Sequence, residues 1–126
     1  MIGKKSSMQK KEKCECGSMK KKLDDVMSTV QRAMKENPEE AGAFMKFVEK
    51  AEKKGALDVK TKELISVALS IAEHCEWCIA FHVKNALSAG ATREEIMEAS
   101  FVAVLMGGGP SLMYVKLVMD AIDEFS

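Results

Sequence analysis

From residue 23 onward, apolar side chains recur at intervals of three and four and never alternate. That rhythm excludes a sheet and calls for a fold made of helices. Leu23, Val26, Met27, Val30, Ala33 and Met34 share one face of a first helix. Asn37-Pro38-Glu39-Glu40 opens a second, with Asn as N-cap, Pro at the first helical position and Glu40 placed to reach back to the cap. This helix is expected to bury Ala41, Phe44, Met45, Val48 and Ala51 and to stop near Gly55. Asp58 caps a third helix, and its interior, residues 64–72, is nearly continuous in apolar side chains, so it is expected to be central and covered on several sides. A fourth helix begins around Cys75 and ends at Ala89-Gly90. Thr92-Arg93-Glu94-Glu95 is a capping box that opens a fifth, running through Phe101 and Leu105. The run Gly107, Gly108, Gly109, Pro110 separates it from a last amphipathic helix over residues 111–125. The expected architecture is therefore an all-α domain of about six helices with short connections, spanning residues 23–126.

A chain of 126 residues is long enough to bury a core as one domain. Its 19 basic and 19 acidic side chains cancel, but unevenly. Residues 1–22 hold eight lysines and two glutamates, which leaves 11 basic and 17 acidic residues for the rest. The helical body is acidic and lacks the basic face that phosphate neutralisation needs, so a nucleic-acid partner is not expected. The basic stretch reads as a solvated, mobile tail. No apolar run follows its charges, unlike a secretory signal, and a cytoplasmic location is expected. The longest uncharged stretch, residues 99–115, is broken by the glycine run and falls short of the ~20 apolar residues that span a bilayer. The ten methionines fall mostly on apolar faces, where they suit a core or a self-association surface.

Four cysteines in a cytosolic chain point to thiol chemistry or metal binding before structural disulfides. The informative segment is Glu73-His74-Cys75-Glu76-Trp77-Cys78-Ile79-Ala80-Phe81-His82. On a helix, Cys75, Cys78 and His82 fall within an arc of about 60°. The two thiols can close a small disulfide, and the imidazole, four residues from Cys78, can take its proton. At an ordinary pKa of about 8.5 only a few per cent of a thiol is ionised at pH 7. An imidazolium neighbour and a helix N-terminus both lower that pKa. The histidine in turn needs an orienting carboxylate. Glu63 supplies one if the third and fourth helices pack as a hairpin. The same residues would also suit zinc, with Cys75, Cys78 and His82 joined by Glu63 or an outside thiolate. A third reading is a helical scaffold whose cysteines merely pack. Ile79 stands where a haem-attachment motif needs histidine. His74 is expected in a surface or capping role, and Trp77 in a pocket, an interface or plain packing.

Glu63, eleven residues, Cys75, two residues, Cys78, three residues, His82 resembles the active-site signature of the AhpD-like alkylhydroperoxidase branch of the carboxymuconolactone decarboxylase family. The segment from Asn85 to Ile96 resembles that family's helix-turn-helix after the motif, and the resemblance covers roughly residues 38–122. It implies an all-helical fold assembled as a homo-trimer or homo-hexamer, and a thiol-dependent peroxidase or disulfide reductase that needs no metal or flavin cofactor. It also implies Cys78 as the activated thiol, Cys75 as its disulfide partner, His82 as base and Glu63 as orienter. A hydroperoxide or disulfide would be the substrate, with a thiol reductant or a peroxiredoxin as partner. Lactone decarboxylation is disfavoured, because that branch does not rely on this cysteine pair. Cys14-Glu15-Cys16 lies outside the signature, either as a mobile dithiol that exchanges with Cys75 and Cys78 or as two exposed tail thiols or a weak metal contact.

Overall fold

The computed structural model describes residues 17–126. Among them the helical rhythm resolves into α1 (Met19–Glu36), α2 (Pro38–Glu52), α3 (Val59–Ala72), α4 (Glu76–Ser88), α5 (Arg93–Gly107) and α6 (Gly109–Phe125). There is no strand among the described residues. The Cys14/Cys16 pair lies outside them. The first helix starts at Met19, ahead of the Leu23 at which the periodicity begins. Ser18 Oγ accepts the Lys21 N–H at 3.0 Å, and Glu124 of α6 accepts the Met19 N–H at 2.9 Å. These bonds satisfy donors that the first turn would otherwise leave open.

Three other helix starts follow their local chemistry. Asp58 accepts the Thr61 N–H at 2.7 Å, and Thr92 with Glu95 forms the reciprocal capping box. Cys75 caps α4 with its sulfur. Asn37 sits at the N-cap of α2 but makes no side-chain bond there, so Pro38 and the acidic first turn carry that start. Gly90, at φ +90°, ends α4 in a left-handed turn in which the Ala91 N–H reaches back to the Ala86 carbonyl. The glycine run is narrower as a separator than its composition suggests. Gly107 still belongs to α5, α6 already opens at Gly109, and only Gly108, at φ +69°, lies between them.

The core sits among α3, α4, α5 and α6, where Val67, Ile71, Ile79, Val83, Ile96 and Val118 are fully buried. Each such side chain contributes roughly 1.5–3 kcal/mol of apolar transfer. α3 packs along α4 and α5, α6 closes over α4 and α5, and α1 lies across α4. α2 rests mainly on α1 and has no buried residue. The expectation that it buries Ala41, Phe44, Met45, Val48 and Ala51 is corrected accordingly. Phe44 is 63% exposed and Ala51 is exposed, while Ala41, Met45 and Val48 are half-buried. The stripe exists, but in the single chain little lies over it. α3 is likewise covered on fewer sides than its composition suggests, with Ile65 and Leu69 facing outward.

Candidate active site

The hairpin of α3 and α4 brings the four predicted residues together. Glu73 and His74 turn the chain between the two helices, and His74 takes φ +55°, a conformation that residues other than glycine rarely adopt. Two features hold it there. Its N–H donates to the Ile71 carbonyl at 3.1 Å, and its ring stacks on Tyr114 of α6 with centroids 4.5 Å apart. The turn sets Cys75 just outside α4 in extended conformation, with its own N–H bonded to the Ser70 carbonyl at 3.0 Å. Cys75 therefore meets Cys78 from the cap and not from the helical arc. Its sulfur accepts the Cys78 N–H at 3.2 Å, and the two sulfurs are joined as a disulfide with Cα atoms 5.2 Å apart. A sulfur in that place lies at the positive end of the α4 dipole, which favours a thiolate when the pair is reduced.

Glu63 is 4% exposed on the inner face of α3, and its Oε2 accepts a hydrogen bond from His82 Nδ1 at 2.8 Å. A carboxylate only accepts, so it keeps the proton on Nδ1 and leaves Nε2 as the basic nitrogen. This pairing also explains how an acidic side chain is tolerated at that depth. No buried side-chain nitrogen or oxygen among the described residues lacks a partner. His82, four residues beyond Cys78 on α4, lines the same shallow recess as the disulfide. That recess, of about 230 Å³, is walled by Ser66, Leu69, Ser70 and Glu73.

The indole N–H of Trp77 bonds Asp25 of α1 at 3.3 Å, the Lys22 ammonium lies 5.5 Å from the ring centre, and Lys22 also pairs with Glu76. Trp77 thus fastens α1 to the start of α4 and lines a recess beside Val26 and Val30. His74 serves the turn, in line with a surface or capping position.

The periodicity reading missed Glu52. It closes α2, is half-buried, and lies with Glu63 and His82 in the one group of three His, Cys, Asp or Glu side chains among the described residues whose polar atoms all fall within 4.8 Å of one another. Burial first, then the negative charge of Glu63, push its carboxyl above the usual carboxylate range, while the positive charge of His82 pulls the other way. The signal was present. Positions 41, 45, 48 and 52 form one stripe at helical spacing, and only the last is charged. Neither cysteine belongs to this group, and their two sulfurs are joined to each other.

An all-helical domain with a vicinal cysteine pair at a helix N-terminus and a buried carboxylate behind a histidine is the class that fold and site define. Residues 38–121 match the sequence profile of the carboxymuconolactone decarboxylase family, and the chain belongs to that family. A family protein from Legionella pneumophila of known crystal structure is similar at 44% identity with a TM-score of 0.83, over 86% of this chain and 96% of that one. A family member from Thermotoga maritima, suggested to take part in an antioxidative response, is similar at 26% identity with a TM-score of 0.74, over 82% of this chain and 88% of that one. Among curated proteins, an uncharacterized protein from Cupriavidus necator is 36% identical over 71% of this chain and 79% of its own length. Uncharacterized protein 4 of the cox locus of Paracoccus denitrificans is 46% identical over 70 residues, 56% of this chain, and the match spans 63% of that relative's length.

Proposed function

We propose that the protein is a thiol-dependent oxidoreductase of the AhpD-like branch, in which Cys75 and Cys78 cycle between dithiol and disulfide and Glu63 with His82 relays the proton. One observation carries this reading: the 2.8 Å bond between Glu63 and His82 at the wall of the recess that holds the cysteine pair. His82 Nε2 takes the Cys78 proton, and the thiolate attacks the terminal oxygen of a hydroperoxide. The O–O bond breaks, a sulfenic acid forms on Cys78, and the departing alkoxide takes the proton from His82. Cys75 then displaces hydroxide from the sulfenic acid, giving the disulfide and water. Two thiols and one hydroperoxide become one disulfide, one alcohol and one water. A dithiol reductant or a peroxiredoxin partner restores the pair by exchange, with Cys75 leaving as a thiolate stabilised by the α4 N-terminus.

The same residues would reduce a disulfide substrate through a mixed disulfide, so peroxidase and disulfide-reductase activities share one site. A cytoplasmic setting would supply the reducing thiols, and outward-facing Phe101, Leu105 and Met106 suit assembly of a homo-trimer or homo-hexamer. The test is consumption of tert-butyl or cumene hydroperoxide with dithiothreitol as donor, alongside mass spectrometry of the cysteines. The expected result is turnover with stoichiometric Cys75–Cys78 disulfide after one equivalent of peroxide. Unchanged free thiols, together with no reduction of a disulfide substrate, would overturn the reading.

A further inference from the structure

The mechanism above uses Glu63 and His82 and leaves Glu52 without a task. The geometry gives it one. His82 stands between two recesses. One holds the cysteines. The other, of about 360 Å³ between α1, α2 and α4, is apolar along Val26, Val30, Met45, Val48 and Phe81, and its polar members are Glu52 and His82. A carboxylate that ends an otherwise apolar stripe, within 4.8 Å of a second carboxylate and an imidazole, is out of keeping with a merely solvated helix end.

We propose that Glu52 is a positioning residue of the relay, whose carboxylate stabilises the His82 imidazolium from the recess that does not contain the cysteines. The inference rests on the reading of Glu63 and His82 as the proton relay. When Cys78 passes its proton to Nε2, the new cation faces Glu63 through Nδ1–H and Glu52 across the second recess. The proton stays on His82 until the leaving alkoxide or thiolate takes it, so no further reactant is needed.

The charges around Glu52 come from three elements. On α3, Glu63 faces it, and the Lys62 ammonium is held by the Ala51 and Lys53 carbonyls at 2.9 and 2.6 Å. On α4 the charged neighbour is His82, and on α2 itself Lys46 and Glu49 share the outer groove. The α1 wall contributes only Val26, Met27 and Val30. Glu52, Glu63 and His82 therefore form one cluster of facing charges, in which burial and the Glu63 charge hold the Glu52 carboxyl above its usual range.

The test reads the imidazoles by NMR, because the chain has only two histidines and His74 serves as an internal control. In reduced protein, Glu52→Gln is expected to lower the His82 titration midpoint by about half a pH unit or more, from a charge about 5 Å away near the surface. Glu52→Lys should lower it further, and His74 should stay in place in both. A His82 midpoint that is the same in wild type, Glu52→Gln and Glu52→Lys would overturn the assignment, since a packing role predicts no ordering by charge. Failure of peroxide and disulfide turnover in the wild type would defeat the proposed function yet leave this titration readable. An unmoved His82 would leave turnover standing and remove Glu52 from the relay.

Discussion

Helices α3 to α6 close over side chains such as Ile71, Ile79 and Ile96 completely, whereas α1 buries only Met19 and α2 buries none. The difference follows the chemistry. Glu63, Cys75, Cys78 and His82 all sit on α3, α4 and the turn between them, in the closed half, with Glu63 buried and bonded to His82 at 2.8 Å. The outer pair contributes walls, the Lys22 and Asp25 that hold Trp77, and one carboxylate, Glu52. The groups proposed to react are mounted where the chain is most enclosed, and the proposed positioning group comes from the layer that is least enclosed.

The strongest way to break this comparison is to set the two halves against each other in turnover. Cys78→Ser should reduce peroxide or disulfide reduction to background. His82→Ala should lower it by roughly 10²–10⁴-fold, the range for loss of a general base. Phe47→Ala, on the outer half and 65% exposed, should stay within about twofold of wild type. Comparable losses at Phe47 and His82 in steady-state assays would show that the division is wrong. Next in size is stability. Ile79→Ala should cost about 2–5 kcal/mol in urea unfolding, and Phe47→Ala below about 1 kcal/mol at protein concentrations where the chain is monomeric. Equal costs would mean that the outer layer is enclosed after all.

A smaller effect sharpens the boundary between α5 and α6. Gly108→Ala forces a side chain into φ +69° and should cost roughly 1–2 kcal/mol, while Gly42→Ala, inside α2 with only an ordinary contact to Met34, should be neutral or slightly stabilising. Matching midpoints for the two variants would remove the argument for strain at Gly108. The smallest effect is a pH dependence at the α3 cap. Hydrogen bonds from Thr61 hold the Asp58 carboxyl below the usual range. Its folded pKa lies below its unfolded value of about 4, so its stabilisation is complete above that value and is lost as pH falls through the folded one. Asp58→Ala should therefore melt lower than wild type at pH 7, with the gap closing in acid. A gap that persists undiminished in acid would show that the cap does not act through its charge.

Much of this was legible in the sequence because the signals were local. Asp58, the Thr92/Glu95 box and Gly90 each announce a helix end through bonds made within a few residues. Spacing alone placed Glu63 opposite His82 once a hairpin was assumed. The misses were tertiary. Periodicity identifies the apolar face of α2 but does not say what covers it, and Phe44 faces out for that reason. Glu52 acquires its meaning only when α2 meets α3 and α4, although its place on the stripe was a hint. The helical-arc description of Cys75 gave way because the left-handed His74 turn makes that residue a cap.

The central claim is that the Glu63–His82 pair activates the cysteine pair. Ultraviolet titration of thiolate absorbance in the reduced protein tests it most directly, with Cys14 and Cys16 replaced by serine so that only Cys75 and Cys78 report. The account predicts a first midpoint well below the ordinary thiol value of about 8.5, rising toward that value in His82→Ala. A first midpoint near 8.5 that His82→Ala leaves unmoved would contradict it.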